Sequence, residues 1–254
     1  MKTIAVIGLG LIGGSILKGL KNKGYNVVGT SKNPETVKKA LDQGLISGTS
    51  IDEADVIFIC TPINITIDTI KEVAKTAKPE AIITDVASIK GFVMDFVEKN
   101  SLPINFIGGH PMAGTEHKGL DASFVTLFND AKWVLTPSKQ TSPKDVQTLE
   151  QIINELGAKV IIADPYEHDK AVALISHMPL FLSQALLSFV QNHNNSELAL
   201  ELAASGFRSM TRLAHTNQEL AADILSGNKA NVLETLEEFI KYLNMKGESL
   251  GTLS

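Results

Sequence analysis

A histidine in a glycine- and proline-rich run is the strongest candidate for acid–base chemistry in this chain. His110 has Gly109 before it and Pro111 after it. Such a run does not form the apolar face of a helix, and the ordinary pKa of histidine suits removal of a proton from a hydroxyl. We expect His110 to be a general base. Ser88 can orient the hydroxyl, or it can simply be the N-cap of the helix that follows.

A glycine-rich turn near the N-terminus has the pattern of a dinucleotide site. Gly8 permits a tight turn, Gly10 lets the backbone approach a pyrophosphate, and Gly13 allows helix and strand to pack closely. The N–H groups and positive dipole end of the following helix favour phosphate. We therefore predict an oxidoreductase that binds a nicotinamide dinucleotide through Gly8, Gly10, Leu11, Ile12 and Gly13.

The loop after the second predicted strand indicates which dinucleotide is bound. An acid commonly stands here and holds the ribose hydroxyls of NAD. This chain has Thr30, Ser31 and Lys32 instead. A carboxylate would repel a 2′-phosphate, whereas Ser31 and Thr36 can donate hydrogen bonds to it and Lys32 supplies positive charge. We predict NADP over NAD; a polar loop that accepts either cofactor is the alternative.

The chain has two arginines, Arg208 and Arg212, and all its other basic residues are lysine. Residues four apart share one face of a helix. A guanidinium group binds a carboxylate in a bidentate way that lysine cannot match. We therefore predict an anionic, carboxylic substrate. The alternative is a pair of structural ion bridges, with Glu116 or Asp169 as partners.

His177 precedes Met178 and Pro179 in a helical segment that Pro179 is expected to kink. A kink exposes polar groups, so His177 either contacts the substrate or is a hydrogen-bonded interior histidine. The six histidines do not have metal-ligand spacing with cysteine or acid partners. We predict no metal site.

Apolar runs of β type alternate with helical stretches through the first two-thirds of the chain, which predicts a parallel sheet with crossover helices. The runs are residues 4–7, 26–29, 56–59, 81–84, 105–107, 133–136 and 159–163. Ligands bind at the carboxyl ends of such strands, where Thr61 and Pro62 also lie, and we expect both to contact the cofactor. We predict an α/β Rossmann domain over residues 1–163.

From Asp164 onward the β pattern disappears. Ala- and Leu-rich segments at helical spacing follow, over residues 166–191, 196–213, 218–225 and 229–245. We predict an all-helical second domain over residues 164–254.

Composition restricts the function classes. The 254 residues carry a formal net charge of -5, which argues against a nucleic-acid surface. The single cysteine, Cys60, fits a reducing compartment. No segment has about eighteen uninterrupted apolar residues. We expect a soluble cytoplasmic protein that binds neither nucleic acid nor membrane.

These motifs, in this order, resemble the prephenate/arogenate dehydrogenase family of tyrosine biosynthesis. The resemblance rests on residues 8–15, 84–91, 108–116, 175–179 and 205–212, and it extends over nearly the whole chain. The run around His110 is its most specific part.

The resemblance implies oxidative decarboxylation of a dicarboxylic cyclohexadienol. His110 would take the 4-hydroxyl proton while hydride passes from the same carbon to the nicotinamide. The helical domain would form a homodimer. The other site residues that it implies are Ser88 at the hydroxyl, Arg212 at a substrate carboxylate, His177 and Thr115 in the pocket wall, and Glu116 paired with the arginine.

Two features indicate a branch of this family. Ala221 stands nine positions after Arg212, where some prephenate-using members have an aromatic residue. The Ser-Lys loop and the Asp-Val-Ala-Ser stretch resemble cyanobacterial-type arogenate dehydrogenases. We predict L-arogenate and NADP, with prephenate as the alternative substrate. Because the sequence ends soon after its last predicted helix, we expect any tyrosine feedback to act within these two domains.

Two other classes fit part of the pattern. A β-hydroxyacid dehydrogenase or imine reductase also has a Rossmann domain followed by helices, but it would use a lysine or tyrosine of the helical domain as acid or base. A non-catalytic NADP sensor would bind the cofactor without turnover. Only the enzyme identified by resemblance gives a role to both His110 and the arginines.

Overall fold

The computed structural model describes residues 1–115 and 117–251, and the chain divides into two compact units. The first unit runs from Met1 to Tyr166, and the second begins at Glu167, a few residues beyond the expected boundary. The first unit contains a seven-stranded sheet, and the described part of the second contains helices and turns. The predicted fold class is confirmed.

The sheet has the strand order β2-β1-β3-β4-β5-β6-β7. Its strands are β1 (Thr3–Ile7), β2 (Asn26–Thr30), β3 (Val56–Ile59), β4 (Ile82–Asp85), β5 (Asn105–Pro111), β6 (Lys132–Pro137) and β7 (Lys159–Ile162). The helices of this unit are α1 (Leu11–Leu20), α2 (Pro34–Asp42), α3 (Ile63–Thr76), α4 (Gly91–Lys99) and α5 (Pro143–Glu155). The chain leaves β1 for β2 on one side and then crosses to β3 on the other, so β1 and β3 flank the topological switch point.

The core lies on both faces of this sheet. Successive strand residues point to opposite faces, so Ile4 and Val6 of β1 pack in one apolar cluster and Ala5 packs in the other. The first cluster includes buried residues of α1 and α5, and the second includes buried residues of α3 and α4. Helices therefore cover both faces, as a largely parallel sheet requires.

The last two strands, β6 and β7, run against the prediction of a parallel sheet. β6 is antiparallel to β5, with Ile107 opposite Pro137 and Pro111 opposite Trp133, and β7 is parallel to β6. A parallel return needs a crossover, usually a helix, to bring the chain back to the starting end. The described residues between β5 and β6 form turns and irregular backbone without a helix. The chain therefore reverses into β6 directly.

β5 is longer than the sequence indicated. It pairs with β4 only from Asn105 to Ile107, the range that was predicted. Its remaining residues continue as a strand that pairs with β6, and His110 lies opposite Val134. His110 is thus part of a strand, beyond the carboxyl end of β4.

A long helical segment starts at the end of the first unit and forms the first part of the second unit. It comprises α6 (Pro165–Val172), a π-helical turn (Ala173–His177) and α7 (Met178–Gln191). The amide of Met178 donates to the carbonyl of Ala173, five residues back. Pro179 has no N–H for the usual bond four residues back, and the wider turn directly precedes it. The predicted irregularity at Pro179 is therefore a π-helical turn within one continuous helix.

The predicted helix over residues 196–213 is wrong. The chain instead forms α8 (Ser196–Glu201), α9 (Ser205–Met210) and a 3₁₀ turn (Arg212–His215), followed by α10 (Gln218–Gly227) and α11 (Lys229–Gly251). Ala204 has extended backbone, which separates α8 from α9. The Thr211 hydroxyl donates to the Phe207 carbonyl at 2.8 Å at the end of α9. Arg208 and Arg212 therefore do not share a helix face.

Of the described helices, the segment Pro165–Gln191 is long and apolar enough to cross a membrane by length and composition, with a mean hydropathy of 1.6 over its best window. This helix carries polar groups that are satisfied inside the second unit. Ser183 accepts a hydrogen bond from the Ala214 amide at 2.9 Å, and His177 is bonded to Asn228. These contacts fit a core helix of a folded domain.

Candidate active site

The glycine turn brings β1, α1 and β3 together without room for side chains. Gly8 has a φ of 97°, and a Cβ there would lie 2.5 Å from the Cys60 carbonyl oxygen, just beyond β3. A Cβ on Gly13 would lie 2.0 Å from the Gly8 carbonyl oxygen. A Cβ on Gly10 would have no protein atom within 4 Å. The turn is therefore tight on the protein side and open at Gly10.

The start of α1 provides donors for an anion. The amides of Leu11, Ile12 and Gly13 precede the first helical hydrogen bond, from Gly14 to Gly10 at 2.8 Å. No side chain caps this end, and its first turn has no acid. Backbone N–H groups, a positive dipole end and the open space at Gly10 fit a pyrophosphate.

The loop after β2 presents hydroxyls and a cation. The Ser31 hydroxyl oxygen accepts a bond from the Asn33 amide at 3.3 Å, and the Asn33 side chain caps α2 through the Glu35 amide at 2.9 Å. Lys32 is exposed and Thr36 is half-buried in the first turn of α2. The Ser31 hydroxyl, which accepts that bond, can donate its own hydrogen to a phosphate.

Lys32 also acts on α3. The pKa of Asp68 is lowered, mainly by its hydrogen bond and charge interaction with Lys71 and to a smaller extent by Lys32. Lys71 already pairs with Asp68 at 2.9 Å. An acid on α3 therefore interacts electrostatically with the loop after β2, and its charge is balanced by a lysine of the same helix.

Thr61 and Pro62 lie where β3 passes into α3. Pro62 is the N-cap residue of α3, and its carbonyl accepts from the Thr66 hydroxyl at 3.0 Å. Thr61 is adjacent to the carbonyl that approaches Gly8. Both residues therefore lie at the carboxyl edge of the sheet, beside the switch point.

A fully buried ion pair adjoins the strand that carries His110. Lys90 contacts the Asp85 carboxylate and also donates to the Gly109 carbonyl at 2.7 Å. The Gly109 amide donates to Asp85 Oδ1 at 3.0 Å. His110, the next residue, is buried, with 9% of its surface exposed. Asp85 and Lys90 have no predicted role, because no local sequence pattern marks a lysine that will be buried against a carboxylate.

Ser88 lies between these two charged residues in sequence and is partly exposed. The N-cap of α4 is Lys90, and no side chain caps that helix. The N-cap alternative for Ser88 is therefore wrong, and its hydroxyl is not used to begin α4.

Cys60 has no features of a nucleophile. Burial raises the pKa of its thiol, and the nearby negative charge of Asp85 raises it further. The thiolate, which is the reactive form, is therefore disfavoured.

The segment after His110 returns to α1. The Phe124 amide donates to the Ser15 hydroxyl at 3.1 Å, and Lys18 donates to the Ser123 carbonyl at 2.7 Å. Thr115 is exposed and accepts a bond from the His117 amide at 3.2 Å. Glu116 lies outside the described residues. The same segment thus links the histidine strand to α1.

In the second unit, His177 is buried and hydrogen-bonded. Of the two alternatives that the sequence left open for this residue, the structure has the interior, hydrogen-bonded histidine. The Asn231 amide group donates to Asn228 Oδ1 at 2.7 Å, and Asn228 Nδ2 in turn lies 3.1 Å from His177 Nδ1. Asn228 Nδ2 also donates to the Asp169 carbonyl at 2.7 Å. With its oxygen already an acceptor, Asn228 donates to Nδ1, so the neutral ring carries its proton on Nε2.

The two arginines are exposed. Arg208 donates to the Ala203 carbonyl at 3.2 Å. In the part of the chain that the structure describes, no acidic side chain lies within ion-pair distance of Arg208 or Arg212. Asp169 is instead buried, and its Oδ1 lies 2.8 Å from His168 Nδ1. The alternative of an ion bridge to Asp169 is wrong.

The described residues also contain no group of three or more histidine, cysteine or acidic residues arranged for a metal.

Comparison with known proteins gives the family. Residues 16–162 match the nucleotide-binding domain of prephenate dehydrogenase, and residues 164–250 match its dimerization domain. The chain belongs to the prephenate dehydrogenase family. This assignment confirms the resemblance and replaces the β-hydroxyacid dehydrogenase and imine reductase alternatives.

Several members of this family are similar over nearly the whole chain. A prephenate dehydrogenase of Bacillus subtilis (strain 168) is 34% identical over 256 residues, which are 95% of this chain and 68% of that protein. The crystal structure of Synechocystis arogenate dehydrogenase has a TM-score of 0.88 and 34% identity, covering 98% of this chain and 92% of that one. A prephenate dehydrogenase from A. aeolicus, in complex with hydroxyphenyl propionate and NAD+, has a TM-score of 0.90 and 30% identity, covering 99% and 91%.

The open space at Gly10 allows a direct test of the cofactor site in this family member. Gly10→Ala should change the free energy of unfolding by less than about 1 kcal/mol, because its Cβ meets no protein atom. It should weaken dinucleotide binding by a factor of about ten or more, because the Cβ would occupy the approach to the pyrophosphate. Fluorescence titration with reduced cofactor measures this. Gly48→Ala, whose Cβ also meets nothing, is the control, and equal affinities for both variants would contradict the assignment.

Burial of His177 predicts a pH dependence of stability. Desolvation, assisted by the charge of His168 and opposed by Asp169, lowers the pKa of His177 from 6.5 to about 4. Between these pH values the unfolded chain binds the proton more readily, so the stabilisation present above pH 6.5 is lost as pH falls toward 4. Urea unfolding at pH of about 7.5 and 5 should show a loss of about 2 kcal/mol from this residue. His177→Gln should lose correspondingly less, and an identical slope in both proteins would contradict the prediction.

Proposed function

We propose that this chain catalyses the NADP-dependent oxidative decarboxylation of L-arogenate to L-tyrosine. The observation that supports this most is the position of His110, on the part of β5 that extends beyond β4. The glycine turn opens at the same edge of the sheet, because β1, β3, β4 and β5 run parallel. A base and a dinucleotide site at one edge are what hydride transfer from an alcohol carbon needs.

His110 removes the 4-hydroxyl proton of the substrate as hydride leaves the same carbon. NADP, when bound, supplies the hydride acceptor. The bond between ring and carboxylate then breaks, carbon dioxide leaves, and the electron pair of that bond completes the aromatic ring. His110 returns its proton to the phenolate oxygen. Ser88, which does not cap α4, donates a hydrogen bond to this oxygen throughout.

The substrate carboxylates are bound by arginine. Arg212 binds one of them, and Arg208, on the preceding helix, contributes the second positive charge. Their lack of acidic partners among the described residues supports this role, because a guanidinium group already held by an acid is less available to a ligand. Thr115, which is exposed, contacts the substrate from the segment that follows His110.

NADP is preferred because the end of β2 has no acid. Ser31, Lys32 and Thr36 bind the 2′-phosphate, while Gly8, Gly10, Leu11, Ile12, Gly13, Thr61 and Pro62 contact the rest of the cofactor. Arogenate is preferred because Ala221, which is buried in α10, provides no aromatic side chain for the prephenate-using branch. Prephenate is the second candidate, and the similarity to the B. subtilis enzyme favours it.

The enzyme acts as a homodimer in the cytoplasm, with the second unit forming the dimer interface. The match to a dimerization domain supports this. So does the number of large apolar side chains that the single chain leaves exposed there, among them Phe189, Leu202, Leu233, Ile240, Tyr242 and Met245. Contiguous exposed apolar surface marks interaction sites.

Initial rates test the substrate and cofactor. Purified protein is assayed by the absorbance of reduced nicotinamide with L-arogenate and prephenate, each with NADP and NAD. Turnover should be highest with L-arogenate and NADP. A preference for prephenate would contradict the substrate while keeping the chemistry, and no turnover in any combination would favour a cofactor sensor. His110→Asn is the control: it should lower kcat by a factor of about a hundred or more and leave cofactor affinity nearly unchanged.

A single change should reverse the cofactor preference. Ser31→Asp introduces the carboxylate that holds ribose hydroxyls and repels a 2′-phosphate. We expect the ratio of kcat/KM for NADP to that for NAD to fall by a factor of about a hundred, with KM for the cyclohexadienol within about twofold of the wild-type value. Ser50→Asp, in an exposed loop, is the matched control. An unchanged ratio in Ser31→Asp would show that this loop does not contact the 2′ position.

A further inference from the structure

The Asp85–Lys90 ion pair is buried at a cost that packing alone does not explain. Both side chains are fully excluded from solvent. Removing two charges from water costs several kcal/mol for each ion, and apolar residues of the same size often stabilise a core as well or better. An ion pair in this position therefore has a local function besides packing.

The function of the ion pair follows from the position at which β4 ends. The last rung between β4 and β5 joins Thr84 to Ile107, and the chain leaves the sheet after Asp85. Two residues further along β5, the Gly109 amide and carbonyl have no β4 backbone to pair with. Asp85 accepts from the amide at 3.0 Å and Lys90 donates to the carbonyl at 2.7 Å. Two side chains thus replace the missing rung.

The ion pair is itself held in place. Asp85 Oδ2 accepts from the Ala87 amide at 3.0 Å as well as from Lys90. A Cβ on Gly109 would lie 2.5 Å from the Asp85 carbonyl oxygen, so only glycine lets this part of β5 approach the end of β4. The backbone directly before His110 is therefore fixed on both sides, by β6 and by the ion pair.

We infer that Asp85 and Lys90 are positioning residues that hold His110 in its catalytic orientation through the Gly109 peptide groups. This rests on the proposed function of His110 as the base. Neither charged group acts on the substrate, because both are fully buried and directed at each other and at backbone. Charge-assisted bonds suit this purpose, since they are about twice as strong as neutral ones.

The test replaces both charges together, because removing one would leave the other buried and unpaired. In Asp85→Asn/Lys90→Met, the backbone before His110 loses its charged anchors. We expect kcat to fall by a factor of about 10 to 100, since displacements near 1 Å can cost this much, while the cofactor Kd stays within about twofold.

The chain offers a matched control. Asp55 and Lys78 form an ion pair at 2.7 Å near the amino end of β3, and Asp55 accepts from the Thr3 amide at 2.7 Å. Asp55→Asn/Lys78→Met makes the same chemical change at the opposite edge of the sheet. It should leave kcat within about twofold. An equal fall of kcat in both double variants would overturn the inference, because it would show a general effect of lost ion pairs.

A cycle with His110→Asn distinguishes positioning from a purely structural role. If the ion pair acts through His110, adding Asp85→Asn/Lys90→Met to His110→Asn should lower the residual kcat by less than about twofold. A further fall as large as in the wild-type background would overturn the inference.

Turnover of the wild-type protein and crystal structures of the double variant keep the inference separate from the proposed function. If the wild-type protein has no turnover with either cyclohexadienol, the proposed function fails, and crystal structures then decide the inference. A shift of the His110 ring by more than about 0.5 Å in Asp85→Asn/Lys90→Met would support it, and an unmoved ring would overturn it. If this double variant does not fold, Asp85→Glu, which keeps both charges but displaces the carboxylate by one methylene group, is carried through the same measurements with an expected fall in kcat of about three- to tenfold.

Discussion

Backbone approaches backbone at the carboxyl edge of the sheet, and the whole site depends on that close contact. At Gly8 and at Gly109 the nearest atom to a hypothetical Cβ is a carbonyl oxygen only 2.5 Å away, that of Cys60 and of Asp85 respectively. Backbone cannot move aside as a flexible side chain can, so any larger residue would separate the strands. The first contact sets where α1 begins, and the second sets how near the histidine strand comes to the end of β4. The glycine turn and His110 thereby share one edge of one sheet.

The reversal at β6 makes the second contact possible. Because β6 pairs with the far side of β5 from Ile107 to Pro111, β5 can extend beyond β4 and still be a strand. A strand edge without a neighbour has unpaired amides and carbonyls, and in this interior position they must be satisfied. Asp85 and Lys90 satisfy them. The buried charges, the antiparallel strand and the position of His110 are therefore consequences of one topological feature.

The second unit shows a similar use of buried polar groups. Two asparagines orient the ring of His177, which is the last residue of the π-helical turn. Such turns are frequent at functional sites, because they change the direction of a side chain without ending the helix. The unit also leaves large apolar side chains exposed, in agreement with its match to a dimerization domain. Its interior fixes a polar residue, while its surface is suited to a second copy.

The sequence by itself determined the elements and the family. Strand positions, the glycine turn, the Asn33 cap of α2 and the order of motifs all depend on neighbours close in the chain, so local patterns were sufficient to predict them. The direction of β6, the break at Ala204 between the helices before Arg212, and the ion pair beneath Gly109 were decided by the tertiary structure. These features depend on groups far apart in sequence, such as Asp85 and Gly109, whose energies exist only once the chain has folded. A lysine in a printed sequence carries no sign that it will be buried against a carboxylate and a strand.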